Sequence, residues 1–273
     1  VSGPNVAYSG ASTDTLGTTI NAAFNGAATT RIVTNEPIAG NGLTDIFTVT
    51  VNVTVNPLTL TVISANCTLE GGEAGTGLRN TATLGGNATG SSTACQPIPL
   101  FSLGNRVWKD LDNSGTINAA DGASPGVNGV TVALFDGTGT TQIATTTTAN
   151  GGYYRFDNLA SADYIVRIVA SNFTLGGALA GCVSSGPNGA DPDNNVDSDD
   201  NGPGQAIGVN GIQSLPVSLG PASNAEPTNE TDLGPGDPAE PNGATNETVD
   251  FGFVPTFTLG NRVWKDLNNS GTI

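Results

Sequence analysis

The residues best suited to chemistry form one twelve-residue stretch, Asp110–Asp121, that is rich in oxygen donors. Oxygens fall at its positions 1, 3, 5, 7, 9 and 12, which are Asp110, Asp112, Ser114, Thr116, Asn118 and Asp121. Thr116 would contribute its carbonyl, Asn118 could act through a water, and Gly115 at position 6 allows a sharp turn. Because Ca²⁺ takes about six to eight oxygen ligands in this frame, the stretch predicts a calcium site.

Two positions of this stretch depart from the usual calcium loop. Ser114 stands at position 5, where Asp or Asn is usual, and Asp121 stands at position 12, where a longer Glu is usual. Both departures indicate weaker binding than in a cytosolic sensor, suited to the higher calcium levels outside cells. An ordinary Asn/Asp/Gly turn without a metal is the alternative interpretation.

A second acidic run, residues 191–202, begins the same frame without finishing it. Asp197, Asp199 and Asn201 match the first half, but position 12 is Gly208, which has no side-chain oxygen. Five carboxylates within ten residues repel one another unless they are solvated or bound to a cation. Another strand would have to complete a metal site here, and a solvated loop is the alternative.

The calcium-loop sequence is part of a repeat. Residues 101–117, "FSLGNRVWKDLDNSGTI", recur at residues 257–273 as "FTLGNRVWKDLNNSGTI", a constant 156 residues later. This spacing is typical of tandem domains rather than of a solenoid. We therefore expect residues 257–273 to be the truncated start of a further repeat, and the sequence to be part of a longer protein.

Three cysteines suggest one covalent link. Cys67 and Cys95 enclose a Gly-rich segment that we interpret as a hairpin, which favours a disulfide between them; two unpaired small core residues are the alternative. A disulfide in an oxidising compartment stabilises by about 2–4 kcal/mol. Cys182 is left over, either as a buried thiol or as the partner of a cysteine elsewhere.

Charge and composition exclude several function classes. Residues 101–256 carry a net charge of −14 out of −16 for the chain, so we expect cations as partners and no nucleic acid. The absence of His removes Ser-His-Asp and Cys-His catalysis, and the acids have the spacing of a metal loop, so we expect no enzyme. No apolar run is long enough to span a membrane.

The elements that must position these residues are β-strands. Residues 45–57 alternate apolar and polar side chains, residues 78–86 are also β-rich, and turn residues separate such runs as in an Ig-like sandwich. Residues 126–139 predict a strand and turn, and residues 145–170 predict a hairpin. The predicted fold class is all-β, with tandem Ig-like β-sandwich domains.

Four motifs in the second half resemble a known family. "LGNRVWKDLDNSGTINAADGASPGVNGVTVAL", "TTTTANGGYYRFDNL", "DNNVDSDDNG" and "ETVDFGFV" occur in the order found in SdrD B-like repeats of bacterial surface adhesins. The resemblance spans residues 101–254 and implies a Greek-key sandwich related to CnaB domains, stacked in a stalk, with bound calcium. It also implies that the acidic run contributes calcium ligands, namely Asp193, Asn195, Asp197 and Asp199.

The domain organisation follows from these motifs. Residues 1–98 form an Ig-like sandwich that need not be complete and resemble an Ig-like repeat domain of unknown function in prokaryotic surface proteins. Residues 99–100 belong to a short Pro-rich joint, and residues 101–254 form the SdrD B-like domain. Residues 222–247 are rich in Pro, Gly and acid, and we interpret them as a long surface loop within that domain.

These observations favour a structural extracellular protein, located at the cell surface or secreted, in which calcium stiffens a tandem-repeat stalk or fibre. An adhesin module that binds a host or neighbouring-cell ligand is the alternative. Like subunits or neighbouring repeats are the expected partners. The apolar strand of residues 257–265 could also add to a sandwich in another subunit and build a head-to-tail filament.

Overall fold

The structure is a computed structural model that forms two compact units, Val1–Asn56 and Pro57–Ile273. The domain limits predicted from the sequence stay predictions. The part of the chain that the structure describes comprises residues 2–10, 21, 23–25, 28–32, 45–52, 65–68, 77–84, 90–186, 191–194, 196–202, 206–220, 226–227, 230–234, 244–257, 265–267 and 269–271. The strand predicted for residues 257–265 lies largely outside this part. None of the described helices is long and apolar enough to cross a membrane.

The first unit contains one antiparallel pair of strands. β1 (Ser2–Gly10) pairs with β2 (Asp45–Asn52), so the alternating pattern predicted this strand correctly. Val49 is half-buried between exposed Thr48 and Thr50, as expected where one face of a strand is covered.

The second unit begins with a hairpin held by a disulfide. β3 (Leu78–Leu84) pairs antiparallel with β4 (Gly90–Gln96). Cys67 and Cys95 form a disulfide with their Cα atoms 5.9 Å apart. Cys182 is a buried free thiol.

The sandwich of the second unit consists of two sheets. The central strand of the first sheet is β5 (Phe101–Lys109), which pairs with β8 (Tyr153–Leu159) on one side. On its other side β5 pairs with β13 (Thr245–Asn246) and β14 (Phe251–Pro255). The edge strand β10 (Cys182–Ser184) pairs with β14. In the second sheet β6 (Thr131–Asp136) lies between β7 (Gln142–Thr147) and β9 (Ala162–Ile168). Two short strands, β11 (Ile212–Gln213) and β12 (Val217–Leu219), both pair with the other edge of β9.

Alternating side chains of the two sheets meet in one hydrophobic core. Each strand turns every second residue inward, so β5 contributes Leu103 and Val107 while β6 contributes Val132 and Leu134, all fully buried. The largest fully buried side chains are Trp108, Tyr164, Phe251 and Phe253. The all-β, Ig-like sandwich prediction is confirmed for this unit.

Residues 145–170 form the predicted strands but not the predicted hairpin. β8 pairs with β5 and β9 pairs with β6, so consecutive strands lie in opposite sheets. Ala160 and Ser161 carry the chain between the sheets, and the Tyr164 hydroxyl donates to the Ala160 carbonyl at 2.8 Å across this turn. The hairpin prediction was wrong because β8 and β9 pair with the distant strands β5 and β6 instead of with each other.

The first and last strands of the sandwich run side by side in the same direction. β14 pairs in parallel with β5, and in this register Phe251 is opposite Val107 and Phe253 is opposite Lys109. Pro255 therefore lies beyond the end of β5, about ten strand residues or roughly 33 Å from Phe101. We call the end of the sandwich where β5 and β14 both finish the Pro255 end.

Candidate metal centre

The predicted calcium loop lies at the Pro255 end, directly after β5. Its first residue is fixed to the last strand, because the Asp110 amide donates to the Phe253 carbonyl at 3.0 Å. Its last residues form a short 3-10 helix, Ala119–Asp121, which Asn118 caps by accepting a hydrogen bond from the Ala120 amide. Gly115 adopts φ 73°, a left-handed conformation that glycine enters without strain.

Three carboxylates converge inside this loop. Asp110, Asp112 and Asp121 each present an oxygen such that the three oxygens lie within 4.8 Å of one another. Asp110 and Asp121 are buried, whereas Asp112 is exposed. Within the described part of the chain, the ion pairs do not involve any of these three acids.

Backbone amides orient the two buried carboxylates. Asp110 accepts hydrogen bonds from the amides of Gly115 at 2.7 Å and Ser114 at 3.1 Å. Asp121 accepts from the amides of Leu111 and Asn118, both at 2.8 Å. These amides hold the oxygens in place but carry no full positive charge, so the centre retains a strong negative potential.

The other predicted ligands meet through the side-chain NH2 group of Asn118, whose oxygen accepts from the Ala120 amide instead of facing the carboxylates. The Asn118 side-chain amide donates to Ser114 Oγ at 2.8 Å and to the Thr116 carbonyl at 3.2 Å, and it lies 3.3 Å from Asp112 Oδ2. The pKa of Asp112 is lowered from its ordinary value, mainly by a hydrogen bond with Ser114. The structure thus brings the six residues that the spacing singled out into one loop, in which the carboxylates of Asp110, Asp112 and Asp121 converge and supply the oxygen ligands that Ca²⁺ prefers.

The C-terminal half of the second acidic run packs against the loop. Asp199 forms a β-bridge with Thr116, the Ile117 amide donates to the Ser198 carbonyl at 2.9 Å, and the Asp200 amide donates to the Gly115 carbonyl at 3.0 Å. The two acidic segments, which looked like separate sites in the sequence, are therefore neighbours at the Pro255 end.

The remaining residues of the acidic run are spread along the sheet. Asp193 lies near Ser218 and Asn246, with its carboxylate 3.1 Å from the Ser218 amide. Asp197 accepts from the Asn105 side chain at 2.9 Å and from the amides of residues 231 and 232, both at 2.7 Å. Asn201 bonds to the backbone of Asp250. Asn195 lies outside the described residues.

Two buried carboxylates near the loop escaped the sequence analysis. Asp200 is fully buried, accepts from the amides of Gly202 and Gly252, and leaves its Oδ2 without a hydrogen-bond partner among the described residues. Burial raises the pKa of Asp200 to about 7. Asp250 is also fully buried and accepts from the amides of Arg106 and Ser198. Their proximity to the acidic motifs was the only available signal.

A two-sheet sandwich with an oxygen-rich loop at the end of its first strand defines an Ig-like β-sandwich domain. Residues 101–202 match the family model described as the SdrD B-like domain. This match assigns an SdrD B-like domain to that part of the chain and confirms the resemblance for the three motifs within it, whereas "ETVDFGFV" lies beyond the matched residues.

Several curated proteins are similar to the chain. Serine-aspartate repeat-containing protein I of Staphylococcus saprophyticus is 30% identical over 185 residues, 67% of this chain and 8% of that protein. Serine-aspartate repeat-containing protein F of Staphylococcus epidermidis is 31% identical over 185 residues, again 67% of this chain and 8% of that protein. Colossin-A of Dictyostelium discoideum is 32% identical over 174 residues, 64% of this chain and 1% of that protein.

The chain thus spans less than a tenth of these relatives. Their names refer to serine-aspartate repeats or to colossin, and none of these names describes an enzymatic activity. Similarity to the staphylococcal proteins supports a cell-surface, adhesin-related role in general terms.

Proposed function

We propose that residues 101–254 form a calcium-stabilised domain of an extracellular structural protein, in which tandem copies build a stalk or fibre. The observation that carries the proposal is the convergence of Asp110, Asp112 and Asp121 within 4.8 Å, two of them buried and unpaired with any basic side chain in the described part of the chain. Burying unpaired carboxylates is costly, so a bound cation would offset a large repulsion.

The donor set favours calcium among the common cations. Carboxylate, hydroxyl and carbonyl oxygens suit hard ions, and the described loop offers no sulfur or imidazole ligand for a softer metal. Asp110, Asp112, Ser114, Thr116 and Asp121 would hold the ion, and Asn118 would orient a water or bind directly. A curved loop with varied oxygen donors fits the irregular coordination of Ca²⁺ better than the strict octahedron of Mg²⁺. The calcium role of Asp193, Asn195, Asp197, Asp199 and Asn201 stays a prediction.

Calcium would act here as a clamp rather than as a switch. The loop is joined to β14 through Asp110 and Phe253, and to the acidic run through Thr116 and Asp199. Neutralising the three carboxylates would therefore fix the ends of three segments at once. A ligand that binds only the folded state raises the stability of that state.

The course of the chain supports a stalk. It enters the sandwich at Phe101 and leaves at Pro255, at opposite ends of neighbouring parallel strands. The next copy of the motif begins at Phe257, so consecutive domains would extend the chain rather than fold it back.

Thermal melting with calcium and with chelator tests the calcium proposal. We expect calcium to raise the melting temperature of the full chain, and we expect Asp112→Ala, which removes an exposed ligand, to abolish much of this increase. Asp163→Ala is the matched control, because Asp163 is an exposed acid whose carboxylate bonds only to Ser218 Oγ among the described contacts. An unchanged midpoint in the unsubstituted chain would remove the proposal.

An adhesin module is the second candidate function, favoured by the similarity to serine-aspartate repeat-containing proteins. In that case the domain would retain binding to intact cells or host surfaces when presented alone on beads. A stalk domain would not, although its calcium-dependent melting would persist. Bead binding of the full chain, with and without calcium, separates the two.

A further inference from the structure

Exposed apolar side chains gather at the Pro255 end of the sandwich. Ten large hydrophobic side chains are exposed in the described part of the chain, and five of them belong to segments at this end. These five are Leu111, Leu175, Val183, Val209 and Phe257. Leu175, Val209 and Phe257 are more than nine-tenths exposed.

The strand register places three of these residues. Leu111 follows Asp110, whose amide bonds to Phe253 near the end of β14. Val183 is the β10 partner of Val254. The chain beyond Pro255 is then held to the start of β10, because both the amide and the hydroxyl of Thr256 donate to the Gly181 carbonyl, at 2.7 and 2.6 Å. Phe257 comes directly after this anchor.

The other two residues lie on turns beside the same end. Leu175 follows the 3-10 helix Ala170–Phe173, and the Phe173 ring contacts Phe253 with centroids 5.3 Å apart. Val209 lies in the turn before β11, and β11 pairs with the final residues of β9. β9 ends near the Pro255 end, because the 3-10 helix that follows it brings the Phe173 ring against Phe253 of β14.

We propose that the Pro255 end is the docking surface for the following repeat, a second copy of this domain. The occupant is set by the chain itself: the repeated motif starts at Phe257, one residue after the anchored Thr256, so a following domain emerges within this patch. Phe257 is 91% exposed, whereas its counterpart Phe101 is 3% exposed in the core. A following copy would bury Phe257 in its own core.

Charge also favours an apolar contact. Each full copy carries a net charge of −14, so copies repel one another through most of their surface. The calcium loop lies at the same end, so the following copy would make contact through Leu175, Val183 and Val209 rather than through the three loop carboxylates. This inference rests on the proposed tandem stalk and names the surface that makes its joints stiff.

The test uses the full chain lengthened after Ile273 by residues 118–256, which completes the second copy. The rotational correlation times of the two copies are measured by amide NMR relaxation. Leu175→Ser combined with Val209→Ser removes apolar surface at the joint without touching the core. Leu215→Ser is the control, since Leu215 is exposed between β11 and β12, on the edge of the second sheet.

We expect the two copies to share one correlation time, and we expect the double variant, but not the control, to give separate and shorter times. Independent tumbling in the unsubstituted chain, or equal behaviour of the double variant and the control, would overturn the docking surface. The same samples are melted with calcium and with chelator. Loss of the calcium effect alone removes the calcium clamp and leaves the docking surface standing.

Discussion

At the scale of single residues, the dominant feature of the sandwich is the number of carboxylates that folding takes out of water. Asp110, Asp200, Asp250 and Glu226 are all buried. Backbone amides replace part of their hydration, yet burial raises the pKa values of Asp200, Asp250 and Glu226. The folded domain therefore destabilises the charged forms of these buried carboxylates.

Glu226 gives a pH prediction away from the calcium loop. Its carboxylate accepts from the Gly220 amide at 2.9 Å, and its pKa is raised from 4.5 to about 7, first by burial and then by Asp193 and Glu230. Between these two values the folded state binds more protons than the unfolded state. The free energy of unfolding therefore falls as pH rises through this window, by up to about 3 kcal/mol.

Glu226→Gln removes this titration while keeping an oxygen for the Gly220 amide. We expect a flatter dependence of the free energy of unfolding between about pH 4.5 and 7, and a variant more stable than the parent above that range. Denaturant unfolding in chelator provides the measurement, with Asp163→Asn as an exposed-acid control. A variant whose pH dependence parallels that of the parent would contradict the assignment.

The loop residues were predictable because their relation is local. Asp110, Ser114 and Asp121 lie within twelve positions of one another, and the spacing alone placed them in one frame. Asp200 and Glu226 were not predictable in the same way. Their burial depends on strands that are distant in sequence; for example, the Gly252 amide of β14 donates to Asp200. No local sequence pattern predicts such a contact.

At the scale of elements, the acidic run lies along the first sheet and makes contacts over its whole length. Asp193 lies beside β13 near the Phe101 end, Asp197 meets Asn105 in the middle of β5, and Asp199 meets the calcium loop. Its N-terminal half therefore stabilises segments that a compact metal loop would not reach. The sequence resemblance could not show this because the hydrogen-bond partners of Asp197 lie 34 to 92 residues away.

Asp197 anchors two residues of the Pro- and Gly-rich segment for which the sequence predicts a surface loop. Its Oδ2 accepts from the amides of Thr231 and Asp232, and Asp232 forms an ion pair with Arg106 at 2.7 Å. We expect Asp197→Asn to accelerate hydrogen exchange of these two amides several-fold while the calcium-induced rise in melting temperature persists.

Asp191→Asn is the control for this experiment, since Asp191 lies in the same run and bonds to the Asp193 amide. Hydrogen exchange followed by mass spectrometry or NMR provides the measurement. A loss of the calcium effect in Asp197→Asn would instead favour the ligand role that the resemblance implied. Unchanged exchange at Thr231 and Asp232 would contradict the role of Asp197 as an anchor.

Strand prediction succeeded where one face is covered and failed where pairing is decided at a distance. Alternation identified β2 and β6 from local sequence, and β9 was identified within the segment predicted as a hairpin. The partners of β8 and β9 were mistaken because proximity in sequence favours a hairpin, whereas here the chain crosses from one sheet to the other between these two strands. Sequence identifies the strands here, and the shared core selects their partners.

At the scale of the whole molecule, net charge should control calcium affinity. The chain carries −16, mostly on the sandwich, and such a field concentrates cations near its surface. Added monovalent salt screens this field and shortens the Debye length from roughly 30 Å at 0.01 M to about 3 Å at 1 M. We expect calcium affinity, measured by calorimetric titration, to fall several-fold over this range of salt.

Sucrose at matched osmolality is the control, because it changes solvent activity without screening charge. Calcium affinity that is independent of salt would show that the field of the whole domain does not contribute. A drop seen equally with sucrose would point to hydration rather than to screening.

The parallel course of β5 and β14 has a mechanical consequence. Tension along the chain would pull Phe101 and Pro255 in opposite directions, on neighbouring strands whose hydrogen bonds run across the line of force. Such a load shears the bonds of the pair together, whereas a load on one end of a hairpin peels its bonds apart singly. A sandwich pulled between Phe101 and Pro255 would therefore resist opening until the bonds of this pair break together.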